Sequence, residues 1–247
     1  IIKEQMSPYA VAEKIKLEEK FKTTISYKTI YNYIDAGLFP NLTNKHLPVK
    51  KNSKKRKYSK VRTAINNARG KGISEREDKI EERAEYGHWE MDTVVGKQRT
   101  KTVLLVLTER MTRQEIIRKI ASKTQISVVK ELDKIERKLG SARFRKTFKT
   151  ITCDNGCENL DYEGIERSVL VNKKRTRVYY AHPYSAWERG TNENANKLIR
   201  RFIPKGADIS KYSRERIKLI ESWINNYPRR ILGGLSSNAL IEQLNIT

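Results

Sequence analysis

The stretch Gly87 to Gly96, G-H-W-E-M-D-T-V-V-G, alternates as a β-strand, with Trp89, Met91 and Thr93 on one side and Glu90, Asp92 and Val94 on the other. Asp92 is thereby embedded in a strand that reads as central. A carboxylate is poorly suited to that position, and buried without a partner it is costly, so it calls for a cation, a metal or a cage of hydrogen bonds. Apolar runs continue the pattern outward. Val103 to Leu107 predicts a second strand and Gln114 to Ile120 a third, the three making a meander. Val128, Leu132, Ile135 and Leu139 then recur at helical spacing up to Gly140. Thr147 to Cys153 predicts a fourth strand that runs straight into Asp154-Asn155-Gly156, and Val178 to Ala181 a short fifth. Ile217, Ile220, Ile224 and Tyr227 share one side of a helix that Pro228 stops. Three strands, a helix, a strand and further helices is an α/β order with a mixed sheet of five strands. In open α/β sheets chemistry gathers beyond strand carboxyl ends, where Asp154 stands; D-N-G alone is only a tight turn.

The 247 residues leave room for one medium domain and a small one, and 37% hydrophobic residues can fill a core. The charge is one-sided. Lys and Arg number 52 against 29 Asp and Glu, a net charge of +23, and the mean hydropathy is −0.74. A field of that sign attracts polyanions, and nucleic acid is the better partner than a membrane, since no basic amphipathic helix or lipidation signal is present. The apolar run Val103 to Leu107 is too short to span a bilayer. Cys153 and Cys157 have no His at ligand spacing, which argues against zinc and for a reduced, cytoplasmic protein. His46, His88 and His182 are scattered and read as structural.

The N-terminal part has a different texture. Ser7-Pro8 predicts a helix start with Ser as N-cap and Pro in the first position, running to about Phe21. Thr24-Ile25-Ser26 opens a second helix with Tyr27, Ile30, Tyr31 and Ile34 on its apolar face, ended by Gly37 in the left-handed conformation. Its other face offers Lys28, Thr29, Asn32 and Tyr33. Two such helices resemble a helix-turn-helix, whose second helix reads the major groove. From Ala36 to Ser74 there is no Asp or Glu, and Lys54, Lys55, Arg56 and Lys57 stand in a run of cations. That run reads as a linker lying along phosphates, each neutralised phosphate steepening the salt dependence of binding by about 0.9 in log-log slope. Ser74-x-x-Glu77 predicts a capping box for an acidic helix to about Tyr86. The expected organisation is a helix-turn-helix domain over 1–45, a basic linker with a short helix over 46–83, a catalytic domain over 84–235 and a tail over 236–247.

A second informative stretch is Ala181 to Lys205, A-H-P-Y-S-A-W-E-R-G-T-N-E-N-A-N-K-L-I-R-R-F-I-P-K. Its second half has helical spacing, with Ala195, Leu198, Ile199 and Phe202 as an apolar stripe and Glu193, Lys197 and Arg200 as a polar one. Alone, that polar stripe reads as ordinary surface pairs. With Asp92 in a first strand and Asp154 after a fourth, however, Glu193 could complete a set of three hard oxygen donors. Such a set suits Mg²⁺, or Mn²⁺ as the alternative, which activates a water or 3′ hydroxyl and stabilises the leaving oxygen of a phosphodiester.

W-E-M-D-T-V-V-G-K, T-C-D-N-G-C-E, P-Y-S-A-W-E-R-G-T-N-E-N-A-N-K-L-I-R-R-F-I-P-K-G and N-Y-P-R-R-I-L-G-G-L resemble, in that order, the blocks of the insertion sequence thirty (IS30-type) family of bacterial transposases. The resemblance covers about Tyr86 to Leu235, with a looser match at Ser7 to Gly37. It implies a ribonuclease H-like catalytic core, part of the retroviral integrase superfamily, and a DDE triad that uses Mg²⁺ to cut transposon ends and join them to target DNA. It also implies double-stranded DNA and a second copy of the chain as partners, in the bacterial cytoplasm at the nucleoid. Asp92 and Asp154 match the two family aspartates. For the glutamate, Glu188 and Glu193 both stand in the third block. G-T-N-E-N-A-N-K is similar to the G-x-x-E-x-x-N-K pattern of retroviral integrases, which selects Glu193, while Glu188 is expected to pair with an arginine. Glu90, on the same strand face as Asp92, is the other nearby competitor. Arg189, Asn196, Lys197 and Arg200 are then expected to face DNA. The chain departs from the family pattern at Asn196-Lys197, at Cys157-Glu158-Asn159 after D-N-G, in the length before Tyr179 and over Ser236 to Leu240, and shows no additional N-terminal helix-turn-helix. Two other readings share these residues: a transposase-derived regulator that binds DNA without catalysis, and a structure-specific nuclease of the same fold that cuts but does not join.

Overall fold

The computed structural model describes residues 1–19, 21–47, 70–183, 185, 188 and 190–246. Lys54, Lys55, Arg56, Lys57 and Arg189, expected to contact DNA, lie outside the described residues. The chain divides into two compact units.

One unit combines the described residues of 1–62 with Asn226–Asn245. Helix α1 (Pro8–Glu18) starts as its sequence dictates, with Ser7 Oγ accepting the amide of Ala10 and Pro8 in the first position. Helix α2 (Tyr27–Asp35) is capped by Ser26, whose Oγ accepts the amide of Thr29. Ile30 and Ile34 pack with Leu47, and Gly37 follows with φ of +70°, a conformation that glycine adopts without strain. Tyr227 donates to Ser7 Oγ at 2.8 Å, so residues beyond Pro228, expected to divide between the catalytic domain and a tail, group with these N-terminal helices.

The other unit holds the sheet. Its strands are β1 (Lys71–Gly72), β2 (His88–Val95), β3 (Val103–Glu109), β4 (Glu115–Ile120), β5 (Thr150–Cys153) and β6 (Arg177–Tyr180), in the spatial order β1-β6-β5-β2-β3-β4. β2, β3 and β4 form the antiparallel meander, and β5, β6 and β1 add on the other side of β2 in parallel. Numbered from β2, the five longer strands lie third, second, first, fourth, fifth, with only the second reversed. That is the ribonuclease H-like connectivity, with β1 as a sixth, two-residue edge. Helices α4 (Gln125–Leu139), α5 (Ser141–Thr147), α6 (Tyr162–Glu166), α7 (Gly190–Phe202) and α8 (Arg214–Asn225) flank it. β3 is buried along its whole length, and Trp89 and Met91 on one face of β2 join Leu105, Leu107, Val128 and Leu132 in the main core.

Two local expectations fail for identifiable reasons. The fourth strand begins at Thr150 because α5 occupies the residues before it, stacking Phe144 on Phe148 beneath Trp89, whose Nε1 donates to Thr147 O at 2.7 Å. The capping box at Ser74 and Glu77 does not form; a single 3-10 turn covers Ile73–Glu75, and the helix α3 is only Asp78–Glu81. Buried Arg76 is drawn to Thr152 Oγ1 on β5 and to Glu81, while Ser74 Oγ lies 3.0 Å from His182 Nε2. Of the two side chains expected to cap, Ser74 is thus taken by His182 and Glu77 by Lys79 and Arg177.

His88 is buried at the start of β2, with Nδ1 2.8 Å from Thr150 Oγ1 and Nε2 3.0 Å from Glu85. Burial pushes its pKa below the ordinary value, partly offset by Glu85. A depressed folded-state pKa gives stability that is complete above the unfolded value and lost as pH falls through the folded one. Urea denaturation from pH 7 to pH 5 should therefore show the wild type losing more stability than His88→Gln; parallel slopes would contradict this role.

Candidate active site

β2 and β5 pair in parallel with Trp89 beside Ile151 and Glu90 beside Thr152. The paired register ends there; Asp92 lies two residues further along β2, and Asp154 directly follows the carboxyl end of β5. The neighbours that orient the two carboxylates include uncharged amides. Asp92 Oδ1 accepts the Thr93 amide and Oδ2 accepts Asn196 Nδ2, both at 2.8 Å. Asp154 Oδ1 accepts the Gly156 amide at 3.0 Å and Asn159 Nδ2 at 2.7 Å.

Helix α7 lies along β2 through three ties. The Asn192 amide donates to Glu90 Oε2 at 3.2 Å, Asn196 Nδ2 to Asp92, and Arg200 Nη2 to the Val95 carbonyl at 2.7 Å. The first step is matched, since four helical residues advance about 6 Å and two strand residues about 6.6 Å; the second spans three strand residues, about 10 Å, a difference that the long Arg200 side chain covers. Arg113 Nη1 adds a bond to Thr191 Oγ1 at 2.7 Å. Glu193 sits three residues before Asn196, about 60° round the helix, and is exposed. Among the described residues no three His, Cys, Asp or Glu side chains gather closely enough to hold a metal ion between them, so Asp92, Asp154 and Glu193 are not drawn together as a set of three.

The competing glutamates have other occupations. Glu90 is fully buried against Arg110 at 3.2 Å as well as at the start of α7. Glu188 accepts the His182 amide and sits 2.8 Å from His182 Nδ1, so among the described residues its partner is a histidine where an arginine was expected. Of the side chains expected at DNA, Lys197 is exposed, as are Lys28, Asn32 and Tyr33 on α2. Thr29 is half-buried with its hydroxyl 2.9 Å from Ser26 Oγ. Asn196 is turned to Asp92, and Arg200 to backbone carbonyls, where burial lowers its pKa.

Sequence reasoning passed over Glu158, although it lies where the chain departs from the family pattern. It is 1% exposed, accepts the Thr93 hydroxyl at 2.6 Å and sits 3.1 Å from Lys123 Nζ. The fit of the site to a hard divalent cation can be judged from its orphaned atoms. Asn155 Oδ1, Asn159 Oδ1 and Asn196 Oδ1 are buried with no hydrogen-bond partner, and each belongs to a residue touching or following one of the two aspartates. Such oxygens are costly to leave unmatched and are the atom type that Mg²⁺, Mn²⁺ or their bound waters take. The residues present fit the ion; Asp92 and Asp154 would hold it.

The chain is 34% identical over 99% of its length to the transposase for insertion sequence element IS4351 of Bacteroides fragilis, covering 71% of that protein. It is 35% identical over 88% of its length to a probable transposase for insertion-like sequence element IS1161 of Streptococcus salivarius, covering 58%, and 34% identical over 74% to the transposase InsI for IS30C of Escherichia coli, covering 45%. No protein-family model matches the chain. A chain in the cryo-EM structure of a simian T-cell lymphotropic virus intasome with PP2A regulatory subunit B56 gamma overlays 56% of this chain and 48% of its own, with a TM-score of 0.41 and 17% identity. No helix among the described residues is long and apolar enough to cross a membrane.

The anchoring of α7 can be tested through Glu90. Glu90→Gln keeps an acceptor for the Asn192 amide but leaves buried Arg110 with Glu81 as its remaining carboxylate partner among the described residues. Breaking a buried pair in this way should cost about 3 kcal/mol in urea denaturation. A loss below ~1 kcal/mol would mean that Glu81 alone suffices for Arg110.

Proposed function

Because this chain belongs to the IS30-type family of insertion-sequence transposases, we propose that it cuts phosphodiester bonds at transposon ends and joins the freed 3′ ends to target DNA. What supports this reading is Asp92 on β2 and Asp154 just past the end of the adjoining β5, with Asn196 of α7 bonded to Asp92 and Glu193 one turn before it. Asp92, Asp154 and Glu193 are the proposed DDE set. Bound there, Mg²⁺, or Mn²⁺ in its place, would activate the attacking hydroxyl and stabilise the leaving oxygen in line.

The chain's own residues prepare that reaction. Asn196 and Asn159 hold the carboxylates of Asp92 and Asp154 by donating to them, and the ties from Glu90, Asp92 and Val95 hold α7 against β2. Glu193 is left exposed at the edge of that contact, able to close on the pair by a change of side-chain rotamer. Lys197, one turn on, supplies an exposed cation for a phosphate near the reacting end. The helices α1 and α2 act as the helix-turn-helix, with Lys28, Asn32 and Tyr33 toward the groove. Joining two ends calls for at least two copies of the chain on the DNA.

Labelled transposon-end DNA, a target plasmid and Mg²⁺ test the reading together. Joined products are expected; nicking without joining would identify a nuclease, and shifted but uncut DNA a binding protein. Asp92→Asn, Asp154→Asn and Glu193→Gln should each lower joining by at least ~10³-fold, about 4 kcal/mol of transition-state stabilisation, with DNA binding kept. Glu188→Gln should leave joining measurable; loss in that variant with survival of Glu193→Gln would transfer the role to Glu188.

End recognition has a separate readout. Asn32→Ala should weaken binding to the cognate end by about 1–3 kcal/mol while leaving binding to random duplex unchanged in a competition gel shift. Equal weakening on both DNAs would remove Asn32 from sequence reading.

A further inference from the structure

Glu158 is a carboxylate that the proposed chemistry leaves unused, yet it borders the same small space as Asp154. A Cβ on Gly156 would come within 2.7 Å of Glu158 Oε2 and 2.8 Å of Asp154 Oδ1, so the two carboxylates flank a gap that glycine leaves open. Like charges at such a place raise each other's energy unless a cation answers them. Lys123, in the turn between β4 and α4, is placed to do so, with Nζ 3.1 Å from Glu158 Oε1 and its side chain 43% exposed. Burial pulls the Lys123 ammonium down, but Glu158 and Asp154 hold it above its ordinary pKa. Thr93, next to Asp92, donates its hydroxyl to the same Glu158 oxygen, and Gln125 Nε2 donates to Cys157 O at 2.9 Å. Asn159 is fully buried, with Nδ2 on Asp154 and Oδ1 without a partner.

We propose that Lys123 and Glu158 are a charge-compensated positioning pair that fixes the Asp154 turn against β2 and sets the net charge felt by a divalent cation at Asp92 and Asp154. The inference rests on the metal-dependent reading above. It goes beyond it by giving two residues outside the triad opposite effects on the cation. Removing the Glu158 charge takes a negative group away from the site; removing the Lys123 charge takes away a positive one. A pair that served folding alone would shift stability in both variants and leave cation affinity in neither direction.

The test is binding of Mn²⁺ to the full chain without DNA, read as free Mn²⁺ by electron paramagnetic resonance, with melting followed by circular dichroism. Wild type should bind and the Asp154→Asn control should lose binding. Glu158→Gln should weaken binding by roughly tenfold and Lys123→Met tighten it by roughly threefold or more, opposite signs that follow from Coulomb's law. Lys123 is partly exposed, so its variant remains informative if the change at buried Glu158 impairs folding. If wild type binds and Asp154→Asn does not, but Lys123→Met leaves the affinity unchanged or weakens it, the pair has no such role and the metal reading stands. If wild type binds no Mn²⁺, or Asp154→Asn binds as well as wild type, the metal reading itself falls, and this inference with it.

Discussion

The parallel pairing of β2 with β5 puts two carboxylates on adjoining backbones, and their repulsion is the constraint around which the catalytic unit is built. Two like charges brought to about 6 Å at an effective dielectric near 20 would oppose each other by ~3 kcal/mol. A fold of ordinary stability has little margin for this. The surroundings meet it in part with oriented amides from Thr93, Gly156, Asn159 and Asn196, which donate to the two carboxylates.

Helix α7 follows from the same constraint. Its Asn196 can serve Asp92 only if the helix neither slides nor rotates, and Asn192 and Arg200 clamp it to Glu90 and Val95 on either side. Glu90 in turn needs Arg110, and Arg110 reaches Glu81 in α3, which also holds Arg76. A chain of charges, buried except for the exposed Glu81, therefore runs from outside the sheet to the start of the helix. Buried ion pairs are poor sources of stability but they are sensitive to geometry, and here that sensitivity sets the helix register. What the network leaves untethered among its neighbours, the exposed stripe of Glu193 and Lys197, is where movement toward a substrate costs least.

Much of this was legible in the sequence because burial imposes a period. The alternation in G-H-W-E-M-D-T-V-V-G and the apolar run after it located β2 and β3, and Ser7-Pro8 located the start of α1. β1 was not legible, since two residues inside a basic run carry no period and exist as a strand only through pairing with β6. The Ser74 and Glu77 signal misled because a local capping pattern lost to long-range partners, His182 for Ser74 and Arg177 for Glu77, that no short window contains. At the site, the types of Asp92 and Asp154 were readable, but Asn192, Asn196 and Arg200 at four-residue spacing look like any solvated helix face. Only their bonds to Glu90, Asp92 and Val95 reveal them as a comb.

The comb also explains how an acidic site persists in a chain of net charge +23. A surplus of cations would be expected to collapse onto exposed carboxylates, yet Arg200, near Asp92 along the helix, is spent on the Val95 carbonyl, and Arg110 and Arg113 are buried on Glu90 and Thr191. Arginine suits that use because its donors form a rigid fork and it stays charged when partly buried. Lysine, strongly hydrated and flexible, is left at the exposed positions Lys197 and Lys28. Long-range attraction for a polyanion and short-range room for a divalent ion are thus assigned to different side chains, and one helix carries both without letting them neutralise each other.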